Sequence, residues 1–131
     1  MLRLMREQGT VRVVNDQIGS PTSTQVLAKI CWMLADRDDA RGVYHWSDDG
    51  AISWYDFACG IHHEALALGL LSAPASIEPI PTTAFPTKAR RPAYSALDAS
   101  DTCSALGVAQ RSWRDALRDM LRSQQQLEGT A

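Results

Sequence analysis

The strongest constraint on the fold is that short strand patterns alternate with longer helical patterns along the chain. β-branched and aromatic residues predict strands at residues 10–15, 43–46 and 77–80. Apolar residues spaced three and four apart recur between and after them, and this spacing predicts amphipathic helices. The order predicts an α/β fold, a small mixed domain with about three short strands and four helices. So few strands leave sheet edges that need to be covered.

Capping residues indicate where the predicted helices begin. Thr22, with Gln25 three residues later, predicts a capping box, and Ser53 with Asp56 predicts another. The last helix is predicted to begin at Ser112.

Two tryptophans and the end of the chain complete this prediction. Trp54 and Trp113 lie on apolar helix faces, so both are expected to pack in the core. The polar residues 124–131 predict a frayed, disordered tail.

Charge and cysteine content narrow the class of protein. The net charge is -2, so no basic excess points to nucleic acid or to an anionic membrane surface. No apolar run is long enough to span a bilayer. Three cysteines stand far apart, without a zinc-binding spacing or an even number for disulfides: Cys31, Cys59 and Cys103. We therefore expect a cytoplasmic protein with reduced thiols.

The spacing of glycines and lysines excludes nicotinamide chemistry by this chain alone. A dinucleotide-binding turn needs closely spaced glycines, but no two of the eight glycines are closer than eight residues. The Tyr-x-x-x-Lys pair of short-chain reductases is also missing, because Gln25 and Ala84 precede the two lysines by four residues. His62 and His63 are adjacent on a helix and point about 100° apart, so a shared metal ion is not expected. The sequence thus predicts no catalytic residues, no cofactor-binding residues and no metal site.

A basic segment held extended by prolines is the most informative stretch. Lys88, Arg90 and Arg91 cluster within residues 81–97, and Pro92 restricts the backbone at Arg91. The planar guanidinium groups suit phosphate oxygens and stay charged at any working pH. These residues fit either an anion-binding loop or a solvated surface loop.

Five motifs occur in an order that resembles one family. They are V-V-N-D-Q-I-G-S-P-T at residues 13–22, G-V-Y-H at 42–45, S-W-Y-D-F-A at 53–58, A-R-R-P-A-Y-S-A-L-D at 89–98 and W-R-D-A-L at 113–117. The pattern is similar to the C-terminal portion of dTDP-4-dehydrorhamnose reductases, which are extended short-chain dehydrogenases. The resemblance runs from residue 2 to about residue 121.

The resemblance implies a sugar-nucleotide-binding function. Members of the family are oxidoreductases of dTDP-rhamnose biosynthesis that use NADPH to form dTDP-L-rhamnose, and NADPH and the Tyr/Lys pair belong to their N-terminal part. Residues 1–131 would then be a single substrate-binding domain, a fragment without the dinucleotide-binding domain that binds no NADPH and is inactive alone. The implied partner is a dTDP-sugar nucleotide. Arg91, with Arg90 beside it, is expected at the pyrophosphate, and Gln17, Ser20 and Thr22 belong to a turn near the substrate cleft.

A different function remains open beside this one. The chain could be a non-catalytic binding or regulatory module, because the wider family includes a regulatory subunit of methionine adenosyltransferase. The predicted strand at residues 10–15 would belong to a larger sheet in such enzymes, so its edge could pair copies of this chain into a homo-oligomer.

Overall fold

A computed structural model describes residues 1–85 and 87–129 of this chain and shows a mixed α/β architecture. The elements, in chain order, are α1 (Leu2–Gln8), β1 (Thr10–Val14), β2 (Ile18–Gly19), α2 (Thr24–Ala35), β3 (Ile52–Ser53), α3 (Trp54–Ala67), β4 (Ser76–Ile80), a 3-10 helix (Thr82–Ala84), α4 (Ser100–Leu106) and α5 (Trp113–Gly129). The predicted fold class is confirmed, with four strands and five α-helices in the described residues instead of about three and four.

The main sheet consists of two parallel strands, β1 and β4, which confirms two of the predicted strands. Their register runs from Thr10 opposite Ser76 to Val14 opposite Ile80, and it places Pro79 opposite Val13. Ser76 N–H donates to the carbonyl of Gly9 (2.7 Å), and the carbonyl of Ile80 accepts from Asn15 N–H (3.0 Å). Helices α1 and α3 pack against this pair.

A second, antiparallel pair joins β2 to β3, with Ile18 opposite Ser53 and Gly19 opposite Ile52. Each strand has two residues, too few for a period-two pattern, and the sequence did not predict either. The strand predicted at residues 43–46 is wrong, because this segment joins no ladder within the described residues. Its Trp46 is buried by packing against the helices, with Ile30 and Ala99 in a small second core.

The start of α2 differs from the prediction. The helix begins at Thr24, and the Ser23 hydroxyl caps it by accepting from Val26 N–H (3.5 Å). The capping box predicted at Thr22 is wrong, since the Thr22 hydroxyl donates to the carbonyl of Ser20 (3.1 Å) and serves the preceding turn.

The start of α3 confirms the second predicted capping box. Asp56 N–H donates to the Ser53 hydroxyl (3.0 Å), and Ser53 N–H donates to the Asp56 carboxylate (3.1 Å). Both otherwise orphaned backbone donors are therefore satisfied at this helix end.

Trp113 is the central aromatic residue of the main core, as predicted. It is 8% exposed and lies against two glycines, Gly50 and Gly60, whose missing side chains make room for its ring. Phe57 contacts it edge-on, with ring centroids 5.8 Å apart. Trp54 is instead 52% exposed, so the prediction that it packs in the core is wrong. It is the first residue of α3 and lies at the rim of the sheet.

Helix α5 continues through residues 124–129, so the predicted tail at 124–131 is corrected for those six residues. The Gln125 side-chain amide donates to the carbonyl of Leu68 (2.6 Å), and Arg6 pairs with Glu128 (2.9 Å). These contacts with the rest of the domain hold the last turns in place. Residues 130 and 131 lie outside the described residues.

A buried ion pair connects α3 to α5. The Glu64 carboxylate is 4% exposed and accepts two hydrogen bonds from Arg118, at 2.8 and 2.9 Å. Hydrogen bonding to this guanidinium holds the pKa of Glu64 below its ordinary value. The pair keeps a nearly inaccessible carboxylate ionised between the two helices.

Candidate functional site

A large cavity of about 410 Å³ lies along the edge of β1 that faces away from β4. It is lined by Met1, Leu4, Val11, Arg12, Val13, Val14, Gln17, Trp54, Phe85, Thr87 and Arg91. The lining combines apolar residues of α1 and β1 with the polar side chains of Arg12, Gln17, Thr87 and Arg91. The volume is within the range of small-molecule sites.

The segment that carries Arg91 is anchored at both ends to the turn after β1. At its start, the Asp16 carboxylate accepts from Thr82 N–H (2.9 Å) and from the Thr82 hydroxyl (2.6 Å). At its end, Ile18 N–H donates to the carbonyl of Ala93, and Ser95 N–H donates to the carbonyl of Ile18, each at 2.8 Å. The turn at residues 16–19 therefore sets the path of the arginine segment.

Gln17 connects this anchor to the cavity. Its side-chain amide nitrogen donates to the Thr82 hydroxyl oxygen (3.0 Å), and the side chain is half-buried. The bonds from the Thr82 hydroxyl and backbone N–H hold the pKa of Asp16 below its ordinary value. Asp16 is thus an ionised acceptor at neutral pH.

The structure brings together some of the sequence-predicted site residues and separates others. Gln17 and Arg91 line the same cavity. Ser20 lines a neighbouring cavity of about 140 Å³ between β2 and β3, and Thr22 lines another of about 220 Å³ at the start of α2. Arg90 is exposed and lines none of these three cavities.

Sequence reasoning missed several residues of the large cavity. Arg12 is an exposed position of β1, between the buried Val11 and Val13, and Trp54 was assigned to the core. Phe85 and Thr87 belong to the arginine segment, whose proline pattern gave no indication of which side chains face inward. The alternation of β1 was the one signal that could have identified Arg12.

The cavity has the chemistry of a binding site without acid–base groups. Arg12 and Arg91 form no ion pair with a carboxylate of residues 1–85 or 87–129. Guanidinium groups without an ion pair, in a cavity that Trp54 and Phe85 also line, suit an anion with a flat apolar part. No His, Cys, Asp, Glu, Lys or Tyr is among the lining residues.

The cavity at the start of α2 contains a buried carboxyl group. Asp48 is 1% exposed, and burial raises its pKa above the ordinary value. One carboxylate oxygen accepts from Ser23 N–H (2.8 Å), and the other has no hydrogen-bond partner in the described chain. Asp48 therefore supports the backbone just before α2 and faces the cavity that Thr22 lines.

The described residues contain neither a candidate metal site nor a candidate membrane-spanning helix. Within residues 1–85 and 87–129, no cluster of three or more His, Cys, Asp or Glu side chains is arranged to hold a metal ion. No helix in the same ranges has the length and apolar character needed to cross a bilayer.

Comparison with known proteins identifies relatives along nearly the whole chain. The model of the RmlD substrate binding domain matches residues 1–126. The chain is 35% identical over 125 residues to a dTDP-4-dehydrorhamnose reductase of Aggregatibacter actinomycetemcomitans, covering 92% of this chain and 42% of that protein. It is 40% identical over 121 residues to a Bacillus subtilis spore coat polysaccharide biosynthesis protein, SpsK, covering 92% of this chain and 40% of that one.

Solved structures agree with these relatives. The dTDP-4-dehydrorhamnose reductase of Bacillus anthracis, solved in complex with NADP, superposes with a TM-score of 0.78 at 29% identity, covering 93% of this chain and 41% of that one. The chain thus spans about two fifths of the length of the relatives it matches. Fold, motif order and identity agree, and the chain belongs to the RmlD substrate binding domain family, corresponding to the substrate-binding part of dTDP-4-dehydrorhamnose reductases.

Proposed function

We propose that this chain forms the sugar-nucleotide-binding part of a dTDP-4-dehydrorhamnose reductase and contributes Arg91 and Gln17 to the substrate site. The observation that carries this proposal is that these two residues, from separate motifs, line one cavity together with Arg12. The guanidinium groups would neutralise a pyrophosphate, and the rings of Trp54 and Phe85 would contact the flat parts of the nucleotide. Reduction by NADPH would use residues that this chain does not contain.

The remaining predicted contacts complete the proposal. Arg90 follows the same segment and would approach the pyrophosphate from the solvent side, since its side chain is exposed. Ser20 and Thr22 lie on the turn that leads from the cavity to α2 and would contact the sugar.

Calorimetric titration of the 131-residue chain with dTDP and with dTDP-rhamnose tests this proposal. Arg91→Ala is expected to weaken binding about 10- to 100-fold, because a charge-assisted hydrogen bond contributes roughly 1.5–3 kcal/mol. Arg91→Lys should restore only part of the affinity, since an ammonium lacks the planar pair of donors. Arg41→Ala is the matched control, because Arg41 is exposed and bonds only to the carbonyl of Ala40. No binding at millimolar nucleotide would refute the proposal for this chain.

A non-catalytic binding or regulatory module is the second candidate. The absence of acid–base groups from the cavity lining favours it, because such a cavity binds without reacting. The two candidates differ in whether reductase activity depends on the chain. The chain alone, given NADPH and the 4-keto sugar nucleotide, is expected to oxidise no NADPH, and measurable turnover would contradict both readings.

We also propose that the free edge of β1 can pair with a second copy of the chain. Within the described residues β1 pairs only with β4, and unpaired backbone groups on its other edge favour strand addition, with apolar residues of β1 lining the cavity there. Sedimentation equilibrium should show a dimer at high concentration. A monomer throughout the concentration range would exclude this proposal.

A further inference from the structure

The Thr82 hydroxyl takes part in two side-chain hydrogen bonds, and its single proton determines in which of them it is the donor. A hydroxyl has one proton, and an ionised carboxylate can only accept. At 2.6 Å from Asp16, the Thr82 hydroxyl therefore donates to that carboxylate. Its oxygen is then an acceptor for Gln17, whose amide nitrogen lies 3.0 Å away.

This direction determines which end of the Gln17 amide is available. The nitrogen faces Thr82, and the amide oxygen has no hydrogen-bond partner within the described part of the chain. The last torsion of a glutamine side chain is broad and roughly two-fold, so the amide would otherwise exchange its two ends readily. A fixed amide presents an acceptor to a ligand that is itself a donor.

The same hydroxyl also holds the start of the arginine segment. Thr82 is the first residue of the 3-10 helix that leads to Phe85, Thr87 and Arg91 in the cavity wall. Its side chain and its backbone N–H both bond to Asp16, on the turn that also anchors the end of the segment.

We propose that Thr82 is a positioning residue whose hydroxyl orients the Gln17 amide and fixes the arginine segment at the sugar-nucleotide cavity. The predicted effect of Thr82 on nucleotide affinity rests on the proposed function, whereas its effect on the orientation of the Gln17 amide requires no ligand. Thr82 itself is not among the cavity-lining residues and acts through Gln17 and the segment.

Three substitutions separate the hydroxyl from the rest of the side chain. Thr82→Val keeps the shape and the backbone N–H but removes the hydroxyl, and Thr82→Ser keeps the hydroxyl. Thr83→Val is the matched control, because Thr83 is the next residue of the same 3-10 helix and its side chain is exposed.

The first measurement uses the protein without ligand. In nitrogen–proton correlation spectra, the hydrogen bond to Thr82 should shift the Gln17 side-chain amide pair away from the positions of a free amide in the wild type, in Thr82→Ser and in Thr83→Val. In Thr82→Val the pair should move and approach the shifts of a free amide. An unchanged Gln17 pair in Thr82→Val overturns the inference, whether or not the chain binds a nucleotide.

The second measurement is the dissociation constant for dTDP. Thr82→Val should bind about three- to ten-fold more weakly, the effect of losing one neutral hydrogen bond, while Thr82→Ser and Thr83→Val stay within about two-fold of the wild type. Ile30→Val destabilises the second core, away from the cavity, and should leave the dissociation constant unchanged. Equal binding by Thr82→Val and wild type, or equal weakening by Ile30→Val, overturns the inference. If the wild type itself does not bind dTDP, the proposed function fails and the Gln17 signals still decide the role of Thr82.

Discussion

Replacing Gly60 by alanine should test whether close packing of Trp113 or helix propensity determines the stability of α3. Gly60 is buried in α3, and a Cβ built there would lie 2.8 Å from Cη2 and 2.9 Å from Cζ3 of Trp113. These are atoms of a rigid ring, so either the ring or the helix would have to move. Overpacking of this kind costs about 1–3 kcal/mol.

Alanine in place of glycine also favours the helix, by about 1 kcal/mol. The two effects oppose each other, and the clash should be the larger one because the ring is 8% exposed and is enclosed by Gly50 and Phe57 as well. We expect a net loss of about 1 kcal/mol in the free energy of unfolding. For a domain of this size, this corresponds to a fall of about 4 °C in Tm.

Urea unfolding followed by fluorescence and circular dichroism measures this change. In a Trp113→Phe background the clashing ring atoms are gone, so Gly60→Ala should there stabilise the protein by about 1 kcal/mol. The double-mutant cycle should give a coupling of about 2 kcal/mol between the two positions. If Gly60→Ala stabilises the wild type as much as it stabilises Trp113→Phe, the close contact does not limit the packing and the reasoning is wrong.

Two further predictions concern helix contacts. Arg118→Met should lower stability at neutral pH, because it removes both hydrogen bonds that the half-exposed guanidinium donates to the buried Glu64 carboxylate and leaves His63, 3.6 Å away, as its partner in the described chain. The pKa of Glu64 is lower in the folded protein than in the unfolded chain, where it is about 4.3, so the ionised carboxylate stabilises the fold above that pH. This stabilisation is lost as the pH falls through the folded pKa. The acid-induced loss of stability, followed by urea unfolding between pH 6 and pH 3, should therefore be smaller in Arg118→Met, and an equal loss would contradict this origin. Ser53→Ala should cost about 1 kcal/mol by removing the cap of α3, and Asp56→Asn, which keeps an acceptor, should cost less in the same urea assay.

The parts of the fold that were predictable from the sequence depend on local signals. The capping box of α3 consists of neighbouring residues, and the strands β1 and β4 carry their own pattern of β-branched residues. The left-handed glycine after α1, Gly9 with φ 67°, likewise ends the helix by a local requirement. In each case the sequence signal lies in neighbouring residues, although the pairing of β1 with β4 joins strands that are distant in sequence.

The parts that could not be predicted depend on contacts distant in sequence. Residues 43–46 resemble a strand but join no ladder in the described chain, and of these four only Trp46 is buried, where it packs in the second core. The start of α2 depends on Asp48, which lies 25 residues from Ser23 in the sequence. The Asp48 carboxylate accepts a hydrogen bond from the Ser23 backbone N–H. At the site, the pairing of Thr82 with Asp16 spans 66 residues, and no periodic pattern encodes it. Motif resemblance located Gln17 and Arg91, but only the folded chain brings them to one cavity.

Pro79 determines at which edge of the β1–β4 sheet another strand can add. The backbone groups of Ser76 and Ile80 bond to β1, and alternate residues of a strand direct their backbone groups to opposite sides. Pro79 therefore directs its backbone to the outer edge of β4, where proline has no N–H to donate. Another strand can therefore add at β1 but not regularly at β4. Two copies that meet through β1 would form a four-stranded sheet with a proline on each outer strand. Such an assembly would end at the dimer, because the proline-bearing outer strands would not support the open-ended sheet addition that produces fibrils.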